Sequence, residues 1–171
     1  MKDLFGNKLE SSAEFTPDRK HRYTLTRRWD AGPTCNFIML NPSTADEIKE
    51  DPTIRRCIDF AGREKCGSLI VTNIYAWRST NPAVLWREPN PIGFENDKWL
   101  LEMATSCELV ICAWGSHGSK PAPLHQVPRG DEVKAMLLKA GVKLRCLGLN
   151  ADGSPEHPLY IPKDRPLRDF I

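Results

Sequence analysis

Polar side chains that could bind a ligand follow the apolar runs of this sequence. Asn41 comes directly after the first apolar run, and Asn73 lies inside the second. His117 follows the third run, and His157 lies beyond the fourth. A carboxamide donates and accepts hydrogen bonds, and an imidazole can hold or release a proton near neutral pH. These residue types could therefore recognise a polar ligand and support hydrolytic chemistry on it.

The apolar runs predict short buried strands, and the segments between them predict helices. The expected strands are residues 37–40, 69–75, 108–114 and 142–149. One expected helix begins at Asp51-Pro52 and stops at Gly67. Other helices are expected at 81–86, around 99–104 and at 131–140. Asp is a preferred N-cap and Pro suits the first helical position. Strands that alternate with helices predict parallel pairing.

The expected fold is a single α/β domain over residues 1–171, a three-layer sandwich with a central, mainly parallel four-stranded sheet. An N-terminal antiparallel edge strand is expected at residues 22–29, where polar and apolar residues alternate. Residues 1–20 are polar without periodicity and are expected to form an arm.

Ligands of open parallel sheets bind outside the carboxyl ends of the strands. The candidate residues that follow the four strands are therefore expected to meet at one edge. Each of them also has an ordinary structural explanation: Asn41-Pro42 as a turn, Asn73 as a satisfied buried amide, and the histidines as surface or turn residues. Together they favour a binding site, because buried polar groups are costly unless something pairs with them.

The composition excludes few functions. The chain has 24 basic and 22 acidic residues, a net charge of +2, so a basic patch for nucleic acid could only be local. No run approaches the roughly 20 apolar residues of a membrane helix, and the first residues lack a secretion signal. We expect a cytoplasmic protein with no membrane partner. Six cysteines are spread singly, which predicts buried free thiols and neither a metal site nor a cofactor.

The motifs of this chain are long enough to carry a family resemblance. They are Phe-Ile-Met-Leu-Asn-Pro-Ser-Thr-Ala-Asp at 37–46, Asp-Pro-Thr-Ile-Arg-Arg-Cys at 51–57, Val-Thr-Asn-Ile-Tyr-Ala-Trp-Arg-Ser-Thr at 71–80, and Ala-Trp-Gly-Ser-His-Gly at 113–118. With these motifs, the chain from Tyr23 to about Ile161 resembles a bacterial and phage family with an MLNPSTAD signature, a domain of unknown function. The resemblance implies no established activity.

The order of the motifs is more distantly similar to the uracil-DNA glycosylase superfamily. In that superfamily a first loop positions the attacking water, and one branch has Asn-Pro-Gly there, against Asn41-Pro42-Ser43. A later Asn that reads the base corresponds to Asn73, and an Arg that follows it in some branches corresponds to Arg78. A glycine loop corresponds to Trp114-Gly115, and a late His-Pro motif to His157-Pro158.

Two departures from that superfamily are visible. Asn41 stands where its strongest enzymes have Asp, which implies weaker activation of water. After His157-Pro158 the chain reads Leu-Tyr-Ile and not a serine-rich run. In that superfamily this run supplies a wedge that intercalates into DNA and contacts to the minor groove. The resemblance therefore does not extend to these two features.

The leading hypothesis is therefore a DNA glycosylase-like hydrolase that acts on a base in DNA or in a nucleotide. Asn41 would position water, Asn73 would read the base, and His157 or His117 would stabilise the leaving anion. Stacking on a base would fall to Trp77 or Trp114, for which packing in the core or at the rim is an equal alternative. The candidate substrate-binding residues are Pro42, Ser43, Thr44, Asn73, Trp77, Arg78, Trp114, Gly115 and Ser116.

Two alternatives stay open at this stage. Asp46 and Asp51, with Asp59, could bind a divalent metal for phosphoester chemistry, although Asp51 is already accounted for as an N-cap. A non-catalytic module that binds a nucleotide or nucleic acid could keep the cleft without the chemistry. Metal dependence separates the two enzymatic hypotheses, and binding without turnover would indicate the third.

Overall fold

The computed structural model describes residues 10–171 of the chain. Its strands are β1 Glu10–Phe15, β2 Arg22–Arg28, β3 Thr34–Met39, β4 Ser68–Asn73, β5 Leu109–Cys112, β6 Leu144–Cys146 and β7 Arg168–Asp169. Its α-helices are α1 Pro52–Arg63, α2 Asn96–Ser106 and α3 Arg129–Lys139. Short 3₁₀ turns cover Pro82–Trp86, Ser116–Ser119 and Pro158–Tyr160.

The strands form one mixed sheet in the order β1-β2-β4-β3-β5-β6-β7. Parallel pairing is confined to the neighbours β4-β3, β3-β5 and β5-β6, whereas β1, β2 and β7 join antiparallel. The prediction of an α/β fold is confirmed. The prediction of a four-stranded sheet is wrong, because antiparallel strands extend the parallel centre on both sides.

The strand predicted at residues 22–29 does not lie at the edge of the sheet. β2 pairs with β4 on one side and with β1 on the other, so β1 is the edge strand. Residues 10–15 therefore belong to the sheet and not to a polar arm, and residues 1–9 lie outside the described part. β1 could not be predicted from the sequence, because its inward positions are only half-buried and two of them are the small residues Ser11 and Ala13.

Helices cover both faces of the sheet. On one face Ile54, Cys57 and Phe60 of α1 pack against the central strands, and on the other Leu100 of α2 and Leu137 of α3 do so. This arrangement buries both faces of the parallel strands, as their continuous apolar runs require. In residues 10–171 no helix is both long and apolar enough to cross a membrane.

The start of α1 agrees with the prediction, but its end does not. The N–H of Ile54 donates to Oδ1 of Asp51 over 2.9 Å, which is the expected N-cap. The helix ends at Arg63, before Gly67. Gly67 serves a different need, since a Cβ there would lie 2.5 Å from the carbonyl oxygen of Asp30. This glycine permits the close approach of two backbone segments.

All six cysteines are free. Five are buried and Cys107 is partly exposed. Burial raises the pKa of the Cys107 thiol to about 11 and that of the Cys112 thiol well above its ordinary value. A thiol with a raised pKa is poorly reactive, so Cys107 and Cys112 act as small apolar residues.

Candidate functional site

The carboxyl ends of the parallel strands lie at one edge of the sheet. Met39 on β3 pairs with Asn73 on β4, and Ile38 pairs with Cys112 on β5. Asn41 follows β3 by two residues, so Asn41 and Asn73 lie at the same edge. This is the arrangement expected from the alternation of strands and helices in the sequence.

A cleft of about 540 Å³ opens at this edge. The candidate residues that line it are Asn41, Ser43, Asn73, Trp114, Gly115, Ser116, His117 and His157. The candidates that do not line it are Pro42, Thr44, Trp77 and Arg78. A cleft of this volume is in the usual range for small-molecule sites.

Asn73 is the most deeply buried polar residue of the cleft. Its side chain is 1% exposed, and neither Nδ2 nor Oδ1 has a hydrogen-bond partner in the described part of the chain. An unpaired buried amide costs about 1–3 kcal/mol of folding free energy. A fold that keeps such a group at the floor of a cleft presents one free donor and one free acceptor to a ligand.

Asn41 has a different environment. Its Nδ2 donates to the carbonyl oxygens of Ser79 over 2.8 Å, Pro42 over 3.1 Å and Trp77 over 3.4 Å. The backbone N–H of Ser79 donates back to the carbonyl oxygen of Pro42 over 2.9 Å. The amide nitrogen thus ties the loop after β3 to the segment after β4. Its oxygen receives no hydrogen bond from the described residues and is the atom left for a ligand or water.

His157 also lines the cleft, and a backbone hydrogen bond fixes its tautomer. The backbone N–H of Leu159 donates to its Nδ1 over 3.3 Å, so the proton of the neutral ring is on Nε2. Burial lowers the pKa of His157, and the negative charge of Asp51 opposes that shift only partly. The ring is therefore a neutral donor at pH 7.

The loop after β5 contributes a glycine and a second histidine. Gly115 has φ 72°, a conformation that favours glycine, and its N–H donates to the carbonyl oxygen of Pro155 over 2.8 Å. His117 is exposed at the rim, with its ring centroid 5.7 Å from that of Trp86. A Cβ at Gly115 would lie 3.8 Å from Cβ of His157, so the loop lies beside that histidine.

The two candidate tryptophans have structural environments. Trp114 is 3% exposed and packs edge-on against Phe170, with ring centroids 5.6 Å apart. A Cβ at Gly118 would lie 2.1 Å from its Cδ1, so the indole fills the space that this glycine leaves. Trp77 packs edge-on against His21 outside the cleft. Neither indole presents an open face to the cleft.

Arg78 also lies away from the cleft. Its Nη1 donates to the carbonyl oxygen of Arg19 over 3.2 Å, and its guanidinium lies over the ring of Phe15. The side chain joins the segment after β4 to the β1–β2 turn. The structure thus brings together the amides and histidines among the candidates, but not Trp77 and Arg78.

Arg22 lines the cleft and was not among the candidates. The register places Glu14 opposite Thr24 but Phe15 opposite Arg22, so Tyr23 is an extra residue in β2. Such a bulge reverses the alternation of side chains and aims the residue before it at the opposite face. In the sequence Arg22 is the last residue of the basic run Arg19-Lys20-His21-Arg22, and that run does not indicate the bulge.

The guanidinium of Arg22 is buried and incompletely paired. It is 2% exposed, its Nη1 donates to the carbonyl oxygen of Ala45 over 2.6 Å, and its Nε has no partner in residues 10–171. Burial lowers its pKa to about 10, and the main opposing influence is the negative charge of Asp51. The cleft therefore contains a desolvated positive charge.

The three aspartates considered for metal binding do not converge. Asp51 lines the cleft, whereas Oδ1 of Asp46 accepts hydrogen bonds from the N–H groups of Ile48 and Lys49 in its own loop. Asp59 faces Arg56 on the outside of α1. Within the described residues, no group of three or more His, Cys, Asp and Glu side chains is placed to hold a metal ion.

Comparison with known proteins gives a family but no activity. No curated protein matches the chain. No solved structure matches it either. Residues 22–159, which include β2 to β6 and nearly all of the cleft, match the family described as "Protein of unknown function (DUF1643)". The chain belongs to this family.

Proposed function

We propose that this protein hydrolyses the N-glycosidic bond between a base and its sugar, in DNA or in a nucleotide. In this reaction the oxygen of water bonds to the anomeric carbon while the bond from that carbon to the base nitrogen breaks. The electron pair of the broken bond stays with the base, and a proton from the water finally neutralises it. The products are a free base and a sugar that carries a hydroxyl at the anomeric carbon.

The unpaired carboxamide of Asn73 carries the proposal. A base presents a donor and an acceptor side by side on its edge, and a carboxamide is the side chain that matches such a pair. Asn73 offers both atoms unpaired, at the buried end of a cleft with room for a base. A base edge that matches the carboxamide would pair both of these buried atoms.

The positions of Asn41 and His157 suit the other requirements of the reaction. Oδ1 of Asn41 can accept a hydrogen bond from water and so orient it, because Nδ2 is held by backbone carbonyl groups. Nε2–H of His157 can donate to the departing base, where negative charge develops. His117 at the rim is the alternative donor named from the sequence.

The similarity to the uracil-DNA glycosylase superfamily supports the same proposal. The loop at Asn41-Pro42, the asparagine at Asn73, the glycine at Gly115 and the His157-Pro158 pair follow the order of its motifs. A base within a duplex would have to leave the stack to reach the floor of such a cleft. Tyr160, which is 87% exposed and lines the cleft, is the aromatic residue at its rim.

The metal-dependent phosphoesterase is the weaker alternative. It needs several carboxylates at one point, and Asp51 is the only aspartate of the three considered that lines the cleft. The non-catalytic binding module remains as an outcome of the experiment. It predicts that nucleotides or DNA bind in the cleft and are recovered unchanged.

The experiment is a base-release assay. The purified protein is incubated with DNA oligonucleotides that carry different modified bases and with free nucleotides, with and without EDTA. Released base is detected by mass spectrometry, and abasic sites by alkaline cleavage. Release that is insensitive to EDTA and absent in Asn73→Ala supports the proposal, whereas binding without release supports the non-catalytic module.

A further inference from the structure

Two buried arginines on β2 reach the same loop but have unlike surroundings. Nη2 of Arg27 donates to the carbonyl oxygen of Asp46 over 2.6 Å, and Nη1 of Arg22 donates to that of Ala45 over the same distance. Arg27 is 0% exposed and Arg22 is 2% exposed. Both side chains therefore carry a desolvated positive charge beside the loop after β3.

Arg27 is fully paired. Its Nε forms an ion pair with Glu50 over 2.8 Å, and its Nη1 donates to Ser11 Oγ over 2.6 Å. Its charge and its donors are thus used within the protein. A buried arginine of this kind fixes a loop and leaves nothing for a ligand.

Arg22 has no such counterion. Its only hydrogen bond to the described residues is the one to Ala45, and no carboxylate within residues 10–171 forms an ion pair with it. The carboxylate of Asp51 raises the pKa of Arg22 but forms no ion pair with it, and Oδ1 of Asp51 caps α1. Because both Arg22 and Asn73 line the cleft, an incompletely paired cation and an unpaired amide border the same space.

We propose that Arg22 and Asn73 form a binding site for a negatively charged oxygen group of the ligand. A buried cation without a counterion destabilises the fold unless an anion joins it, which makes the anion the missing partner. Nε and Nη2 of Arg22 and Nδ2 of Asn73 carry N–H groups that donate to no atom of the described residues. We identify the anion as the departing base, which receives the electron pair of the broken glycosidic bond. This identification rests on the proposed function.

This inference assigns Arg22 a catalytic role that the histidines were expected to fill alone. A guanidinium keeps its charge throughout the neutral range, whereas His157 is neutral there. Charge that develops on a base near Arg22 would be stabilised in a site from which water is largely excluded. A neutral histidine would then add a hydrogen bond and not the main charge.

Anion binding can be measured without any turnover. Isothermal titration calorimetry at pH 7 would use inorganic phosphate, barbiturate, which is an anion at this pH, and uracil, which is neutral. We expect the wild-type protein to bind at least one of the two anions more tightly than uracil. Arg22→Met should weaken that binding by about 10-fold to 100-fold, as expected for charge-assisted hydrogen bonds.

Arg27→Met is the matched control. It removes a buried guanidinium from the same strand, but Arg27 does not line the cleft. It should keep the anion affinity of the wild type while lowering thermal stability. Arg27→Lys replaces it if Arg27→Met does not fold. Arg22→Lys should restore part of the affinity, since it returns the charge without the planar donors. Folding of every variant is checked by circular dichroism.

The outcomes separate this inference from the proposed function. Loss of anion binding in Arg22→Met, with no base released from any substrate, would keep the anion site and overturn the glycosidic reaction. Base release that Arg22→Met retains in full would keep the reaction and overturn the role of Arg22. Failure of both anions to bind the wild type, or equal binding to Arg22→Met, would overturn the anion site.

Discussion

The carboxamides of Asn41 and Asn73 lie at the same edge of the sheet, but only that of Asn41 has hydrogen-bond partners. Nδ2 of Asn41 donates to three backbone carbonyl oxygens, whereas both polar atoms of Asn73 are buried without a partner in the described residues. The amide of Asn41 therefore stabilises the loops beside the cleft, and the amide of Asn73 is available to a ligand. This difference leads to opposite expectations for their substitution.

Asn73→Leu should raise the free energy of unfolding by about 1–3 kcal/mol, because it removes the cost of burying an unpaired amide. The same change should abolish base recognition. Urea denaturation measures the first effect and the base-release assay the second. Gain of stability with loss of function is typical of residues kept for binding.

Asn36 provides the control for this substitution. It is also fully buried and its Oδ1 likewise has no partner within residues 10–171, but its Nδ2 donates to the carbonyl oxygen of Ile70 over 3.1 Å and to Thr72 Oγ1 over 3.2 Å. Asn36→Leu should therefore lower stability by about 1–3 kcal/mol. If Asn73→Leu is as destabilising as Asn36→Leu, Asn73 has a structural role and the ligand argument is wrong.

Asn41→Ala should lower turnover by about 100-fold or more with little change in substrate affinity, as for an interaction made mainly in the transition state. It should also cost about 1–3 kcal/mol of stability, because the three carbonyl groups lose their donor. Steady-state kinetics and urea denaturation test the two parts. Asn81→Ala, which removes a helix cap just outside the cleft, should change stability alone.

Asn41→Asp should not produce a stronger enzyme. A carboxylate at this position would face the carbonyl oxygens of Pro42, Trp77 and Ser79, which now accept hydrogen bonds from Nδ2. Repulsion between these oxygens should destabilise the loop and move the side chain. Activity equal to or above that of the wild type, with unchanged stability, would show that the amide nitrogen is dispensable.

The lowered pKa of His157 predicts a pH dependence of stability. Because burial lowers the pKa of the folded state, the unfolded chain binds the proton more readily. The contribution of His157 to stability is therefore complete above the ordinary histidine pKa, about 6.5, and is lost as pH falls through the folded-state pKa. His157→Asn keeps an acceptor for the Leu159 N–H but does not titrate.

The measurement is urea denaturation of both proteins at several pH values from 7 to 5. The stability of the wild type relative to His157→Asn should decrease as pH falls. A difference that stays constant, or that grows toward pH 5, would show that the histidine is not held in its neutral form. It would also remove the argument for Nε2–H as a donor to the base.

The parts of the site that follow from strand order could be predicted from the sequence. Asn41 follows one apolar run and Asn73 lies near the end of another, and parallel pairing brings such ends together. The cap at Asp51 is equally local, since it depends on Asp51 and Pro52 alone. To predict these features, only the type of each residue and the direction of its strand must be known.

Other parts depend on register, which the sequence does not display. Arg22 faces the cleft because of the extra residue Tyr23, and that bulge exists only through pairing with β1. β1 itself lacks an apolar face that would have predicted it. Trp77 and Arg78 follow Asn73 closely in sequence, yet the chain turns after β4 and directs them toward the β1–β2 side.

Base release by the wild type and by Asn73→Ala, in the presence of EDTA, tests the central claim most directly. The account predicts that the wild type releases a free base from at least one oligonucleotide or nucleotide and leaves an intact phosphodiester backbone. It predicts that Asn73→Ala, folded as shown by circular dichroism, binds and releases little or none. Cleavage of phosphoester bonds that requires a divalent metal, or base release that Asn73→Ala retains in full, would contradict it.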